Sequence, residues 1–90
     1  MTIIKDKIFQ KQLFRILKYI AQDKVSAAKK FENELSRLIK NLVNSPYKFR
    51  ASNYFDEEYY RDLVYHGYTI IYKIEIDKIL ILEIFKWQER

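Results

Sequence analysis

The hydrophobic pattern of this chain changes character once, and the change falls beside its only proline. From residue 8 to residue 42 apolar residues recur at steps of three and four; beyond the proline at 46 they gather into runs rich in β-branched and aromatic residues. The first spacing is that of helices with one buried stripe, and the second composition is that of strands. Helices followed by strands, rather than alternating with them, predict an α+β fold.

Ile8, Phe9, Leu13, Ile16, Leu17 and Ile20 make the first stripe, with Asp6 placed to cap the helix and Lys and Gln on its other side. Residues 2–4, "TII", predict a short strand before it. The pattern pauses around Gln22 to Ser26, where Asp23 or Ser26 is expected to cap a second helix. That helix carries Ala27, Ala28, Phe31, Leu35, Leu38, Ile39 and Leu42 and stops at Asn44-Ser45-Pro46. So short a connection predicts an antiparallel helix pair, and the adjacent alanines allow close approach. Lys29, Lys30, Arg37 and Lys40 read as a solvated outer face.

Between Tyr47 and Asp56 no period holds. "YKFRASNYF" alternates aromatic with basic or small residues, a composition that can stack on single-stranded nucleic acid or lid an apolar core; the lid is the expected use. "YYRDLVY", "YTIIYKIEI" and "ILILEIFKW" then predict three antiparallel strands. His66-Gly67 has the length of a tight hairpin turn, with Gly67 supplying the positive φ.

The last hairpin poses a register problem. A simple two-residue loop at Asp77-Lys78 would set Tyr72 opposite Glu83 and put a carboxylate on the most apolar face. A register moved by one pairs Ile74 with Leu82, Tyr72 with Ile84 and Lys73 with Glu83, so a bulge or a three-residue loop is predicted. One face then holds Ile70, Tyr72, Ile74, Ile76, Leu80, Leu82 and Ile84, buried against the helices. The other holds Ile71, Lys73, Glu75, Ile81, Glu83 and Phe85, and needs cover from the loop or from a partner.

Composition narrows the chemistry. With no cysteine there is neither a disulfide framework nor a thiolate site, and a single histidine argues against zinc. No metal or cofactor is expected. The apolar runs are too short to span a membrane and the first residues are cut by charges, so a cytoplasmic protein without membrane contact is expected. Ninety residues predict one domain over 1–90. The net charge of +5 favours anionic partners such as nucleic acid, a ribosome or an acidic protein segment.

The order strand, helix pair, loop, three strands carries a resemblance. "LFRILKYIAQDKVSAAKKFENELSRLIKNLVNSP", then "RDL" and "GYTIIYKIEIDKILILEIFKWQ", resemble the RelE/ParE superfamily of toxins from type II toxin-antitoxin systems. The helical half is similar to the ParE branch, in Tyr19-Ile20-Ala21, Ala27-Ala28, Phe31, Leu35, Leu42 and Pro46. Arg61, Leu63, Gly67-Tyr68, Tyr72 and the apolar last strand are similar across the superfamily. The resemblance implies a short N-terminal strand and a helix hairpin packed on a twisted antiparallel sheet of three to four strands. It also implies a cognate antitoxin that holds the toxin inactive, with operator DNA reached only through that antitoxin. RelE-like members cut mRNA on the ribosome; ParE-like members poison DNA gyrase without being nucleases.

Cleaving RNA through its own 2′-hydroxyl takes a base, an acid and cations around the phosphate. RelE-like nucleases resemble one another in an Arg after the Gly-Tyr pair and lysines on the preceding strand. Here those positions hold Thr69 and, approximately, Tyr60 and Asp62. The resemblance therefore implies a gyrase-binding inhibitor, with a target surface of Phe85, Lys86, Trp87, Gln88 and Arg90 joined by Lys48 and Arg50. The alternatives are a ribosome-dependent mRNA endonuclease with a displaced set, His66, Arg61, Lys86 and Arg90, and a non-toxic relative kept as an antitoxin-binding or regulatory subunit. Arg61 shares a strand face with Leu63 and is expected to end on Glu57, Glu58 or Glu83. Tyr65 and Tyr68 are expected to pair across the hairpin.

Overall fold

A computed structural model describes residues 1–86. Its elements run β1 (Thr2–Lys5), α1 (Lys7–Asp23), α2 (Val25–Lys40), a 3-10 turn (Asn41–Val43), β2 (Arg50–Ala51), β3 (Tyr60–Tyr65), β4 (Tyr68–Ile74) and β5 (Lys78–Lys86). The strands form one sheet in the order β1-β5-β4-β3-β2, with β1 parallel to β5 and every other neighbour antiparallel. The sheet is thus mixed and five-stranded where three to four antiparallel strands were expected, because β1 adds in parallel and β2 adds two residues of the loop.

Asp6 caps α1 as predicted, its carboxylate accepting from the Ile8 amide at 2.8 Å. Neither Asp23 nor Ser26 caps α2. One extended residue, Lys24, serves both helices instead: its amide donates to the Ile20 carbonyl, and its own carbonyl accepts from Ala27 and Ala28. A single-residue break leaves Asp23 inside α1 and Ser26 inside the first turn of α2, so backbone does the capping. The helices pack on each other, and one side of the pair packs on the sheet. Phe9 from α1 and Phe31, Leu35 and Ile39 from α2 meet Leu63, Ile70, Tyr72, Ile79, Ile81 and Ile84 in one core cluster. Each such side chain contributes about 1.5–3 kcal/mol by leaving water.

The β3-β4 turn is as expected, with Tyr65 opposite Tyr68 and positive φ at both His66 (50°) and Gly67 (81°). Two consecutive positive φ values give the turn whose twist matches the strands. The tyrosines do not stack on each other, however; each ring lies edge-on to Phe31, at 5.1 and 5.4 Å.

The β4-β5 hairpin does not close at Asp77-Lys78: only Ile76 and Asp77 separate Glu75 from Lys78, so the register moves in the opposite direction from the one expected. Ile74 pairs with Ile79, Lys73 with Leu80 and Tyr72 with Ile81, and then Ile71 pairs with Glu83. Leu82 is left without a partner, which makes it the extra residue of a bulge. The loop closes with the Glu75 amide on the Lys78 carbonyl at 2.8 Å. Ile76, expected in the core, stands 99% exposed at its tip, and Lys73 meets Glu75 rather than Glu83. Ile79 and Ile81 replace Leu80 and Leu82 beneath the helices, and the bulge resets the alternation so that Ile84 faces inward as well. A strand without it would turn Glu83 onto the core.

The other sheet face is covered by the loop. Tyr54 lies edge-on over Phe85 at 5.3 Å, and Phe55 stacks on Tyr60 at 4.2 Å. Beneath them Thr69, Ile71, Phe85, Ser52 and Asp62 are buried. Tyr54 and Phe55 therefore work as a lid over the face turned away from the helices, while Phe49 of the same segment packs against the helix-side core.

Candidate functional site

The end of the sheet that carries the β3-β4 turn brings together the last residues of β5, the start of β4 and one side of α1. Gln12, Arg15, Ile16 and Tyr19 lie at helical steps on α1 and face Tyr68, Ile84 and Lys86 across an open cleft of about 520 Å³. Two anchors fix this geometry. The Gln12 side-chain carbonyl accepts from the Ile84 amide at 2.8 Å, and the Lys86 ammonium lies 5.9 Å from the Tyr19 ring centre and 5.8 Å from that of Tyr68. A cation over aromatic faces is held there by the ring quadrupoles. Arg15 escaped the sequence reading, and Tyr19 entered it only through the family resemblance, because both lie on the polar side of α1; their three- and four-residue steps beside the core stripe were the available signal.

Of the residues expected to meet a target, Lys86 and Phe85 both line this cleft, although Phe85 is 7% exposed and its ring lies under Tyr54 on the opposite sheet face. Trp87, Gln88 and Arg90 lie outside the described residues. Lys48 and Arg50 sit elsewhere, in the loop and in β2 at the far edge of the sheet. The Lys48 ammonium is over the Phe49 ring at 5.6 Å, and Arg50 reaches Asp62 at 3.8 Å. Asp62 belongs to the lidded face, whereas Lys86 points to the helix side.

The residues of the displaced nuclease set are also apart. His66 is exposed in the turn, its ring edge-on to Tyr65 at 4.3 Å. Arg61 lies five residues back along β3, about 16 Å at strand rise, and is fully engaged. Its guanidinium donates to the Glu58 carbonyl at 2.9 Å and the Phe49 carbonyl at 3.1 Å, lies 4.7 Å from the Tyr47 ring centre, and reaches the Glu58 carboxylate at 4.0 Å. It therefore ties the loop to β3, ending on one of the carboxylates the sequence named.

Beside His66 the structure places an anion. The Tyr65 hydroxyl donates to the Glu34 carboxylate, which holds that carboxyl below its ordinary range, with Lys30, His66 and Arg37 contributing further favourable charge. Burial pushes the Tyr65 hydroxyl up to about 12, with the bond to Glu34 adding to the shift.

The positions at which the resemblance looks for nuclease cations, Thr69 and approximately Tyr60 and Asp62, hold no free charge. Thr69 is 3% exposed, between Val64 and Phe85 in the sheet. Asp62 is 1% exposed; one carboxylate oxygen accepts from the Asn53 amide at 3.0 Å and the other has no hydrogen-bond partner among the described residues. Tyr60 stacks under Phe55. Among the described residues no His, Cys, Asp and Glu group could hold a metal ion, and no helix is long and apolar enough to cross a membrane.

Residues 3–89 match the family model of the ParE toxin of the type II toxin-antitoxin system parDE. In fold the chain is similar to a solved structure described as the chromosomal ParDE toxin-antitoxin system from P. aeruginosa. The TM-score is 0.77 and the identity 19%, and the match covers 96% of this chain and 95% of the other. No curated protein sequence matches the chain.

Proposed function

The chain belongs to the ParE toxin family of type II toxin-antitoxin systems, and from that premise we propose that it acts by docking on DNA gyrase and inhibiting it, without chemistry of its own, until a cognate antitoxin neutralises it. The observation that carries the proposal is the state of the three positions where RNA-cutting relatives would gather cations. Thr69 is neutral and buried, Tyr60 is stacked, and Asp62 is a buried carboxylate. A phosphoryl transition state is stabilised above all by positive charge already in place around it. A carboxylate under the lid and another beside His66 oppose it.

Inhibition by binding needs surface and charge rather than a proton relay. Lys86, partly exposed, and Arg15, exposed, supply a cationic rim on the chain's +5 background. The reading assigns target contact to the end of β5, with Trp87, Gln88 and Arg90 as its proposed continuation.

Expression without antitoxin tests this directly. A gyrase poison gives double-strand breaks and an SOS response, intact mRNA, and undiminished toxicity in His66→Ala. Purified chain should likewise inhibit supercoiling by purified gyrase. Transcripts cut within codons, with cutting abolished by His66→Ala, would replace the proposal with the ribosome-dependent nuclease.

A further inference from the structure

The charged residues of α1 that face away from the core carry one sign only. Lys7, Lys11, Arg15 and Lys18 lie within about 80° of one another around the helix, opposite the core stripe of Phe9, Leu13, Ile16 and Ile20. All four are exposed, and between Lys7 and Gln22 the helix contains no Asp or Glu. None is in an ion pair among the described residues. Lys7, Lys11 and Arg15 are spaced by about 6 Å per step, and the row runs for about 16 Å along the axis. Lys7, Gln10, Lys11, Phe14 and Arg15 also border an open recess of about 310 Å³. The outer face of α2 differs, because Lys29, Lys30, Arg37 and Lys40 share their helix with Glu32 and Glu34 and its charge is mixed.

A straight row of unpaired cations at regular spacing fits a partner whose negative charges are equally regular and dense, and duplex DNA carries one per about 1.7 Å of axis. A single strand fits less well, since its bases are held by stacking on aromatic rings; the ring within the stripe, Phe14, has the Lys18 ammonium over it at 5.5 Å. A bilayer also fits less well, since it takes up the apolar face of a surface helix, and that face of α1 is packed in the core. We propose that the chain itself binds the sugar-phosphate backbone of duplex DNA along this α1 stripe. Contacts to phosphate carry no base information, so the binding is independent of sequence. It is also independent of which protein the chain inhibits.

The test is fluorescence anisotropy of the full chain with a labelled duplex of arbitrary sequence, a duplex of unrelated sequence and a single strand of the same length. Both duplexes should bind alike and more tightly than the single strand. The logarithm of affinity should fall against the logarithm of salt with a slope of about −3 to −4, as four neutralised phosphates require. In Lys11→Gln/Lys18→Gln the slope should shrink by about 2 and the affinity at about 50 mM salt should drop about tenfold or more. Lys29→Gln/Lys40→Gln removes the same charge from α2 and should change affinity by less than about threefold. Equal losses in the two variants would assign binding to net charge and overturn the stripe. No binding to the duplex at low salt, tighter binding to the single strand, or displacement by phosphatidylserine vesicles at equal phosphate concentration would overturn DNA as the ligand. Lysine acetylation of the unaltered chain gives an answer even if the variants misfold: the duplex should protect Lys7, Lys11 and Lys18 and leave Lys29 and Lys40 reactive. Any other pattern also overturns the proposal.

Discussion

Tyr65 and Glu34 show how one hydrogen bond couples the helices to the turn, and they make stability depend on pH at both ends of the scale. Glu34 has a lowered pKa in the folded chain, chiefly through the Tyr65 hydroxyl. Its contribution is therefore present above the ordinary glutamate range and fades as pH falls through the depressed folded value. Tyr65 and Tyr72 are both raised to about 12, burial being the first cause in each. For a phenol the raised value means that folding resists ionisation, so this contribution is complete below pH 10 and is lost as pH climbs from there toward 12. Tyr72 adds a second restraint, donating to the Pro46 carbonyl at 2.6 Å. Urea midpoints across pH should fall on both flanks, with tyrosinate absorbance rising as the chain unfolds at the alkaline one. Tyr65→Phe should flatten the acid flank, because Glu34 then loses its main donor; an unchanged acid flank would show that the bond contributes nothing to folding.

Among the elements, the helices were legible and the sheet only partly so, for a physical reason visible at Leu80 and Ile81. A helix stripe such as Phe31, Leu35 and Ile39 has polar neighbours that mark its edges, so its period can be read directly. In "ILILEIF" nearly every position is apolar, and the two faces carry no label until the register is known. The register expected from the sequence keeps Glu83 off the apolar face, which the bulge at Leu82 achieves in another way, and adds charge pairing of Lys73 with Glu83, a contribution of a few tenths of a kcal/mol. Burial of Ile79 and Ile81, worth several times more, overrules it. The two-residue β2 has no period to detect, and the cap at Lys24 is backbone, which composition does not mark. Local signals did survive: Asp6 as a cap and His66-Gly67 as a turn each depend on only a few adjacent residues. The corrected register makes a sharp prediction. Ile81→Ala should cost about 2–5 kcal/mol in urea unfolding, whereas Leu80→Ala, half-buried on the other face, should cost less than half as much. The reverse order would restore the register expected from the sequence.

For the whole molecule, the charged residues proposed to meet the target divide between two faces, and this limits how the proposed target can be engaged. Lys86 lies on the helix side at the end of β5, while Arg50 lies on the lidded side in β2, three strand spacings or about 14 Å across the sheet and about 10 Å further along it. A single flat contact cannot use both. Their energetic states differ as well: Arg50 already faces the buried Asp62 and must give up that carboxylate to bind, whereas Lys86, held over the Tyr19 and Tyr68 rings as Lys48 is over Phe49, has no carboxylate partner among the described residues. Desolvating an unpaired, partly exposed cation against an acidic partner therefore yields more net attraction at the β5 end. In a titration of supercoiling inhibition, Lys86→Glu should weaken the chain about tenfold or more, and Lys48→Ala/Arg50→Ala less than about threefold. Equal, large losses would require the target to wrap around the edge of the sheet.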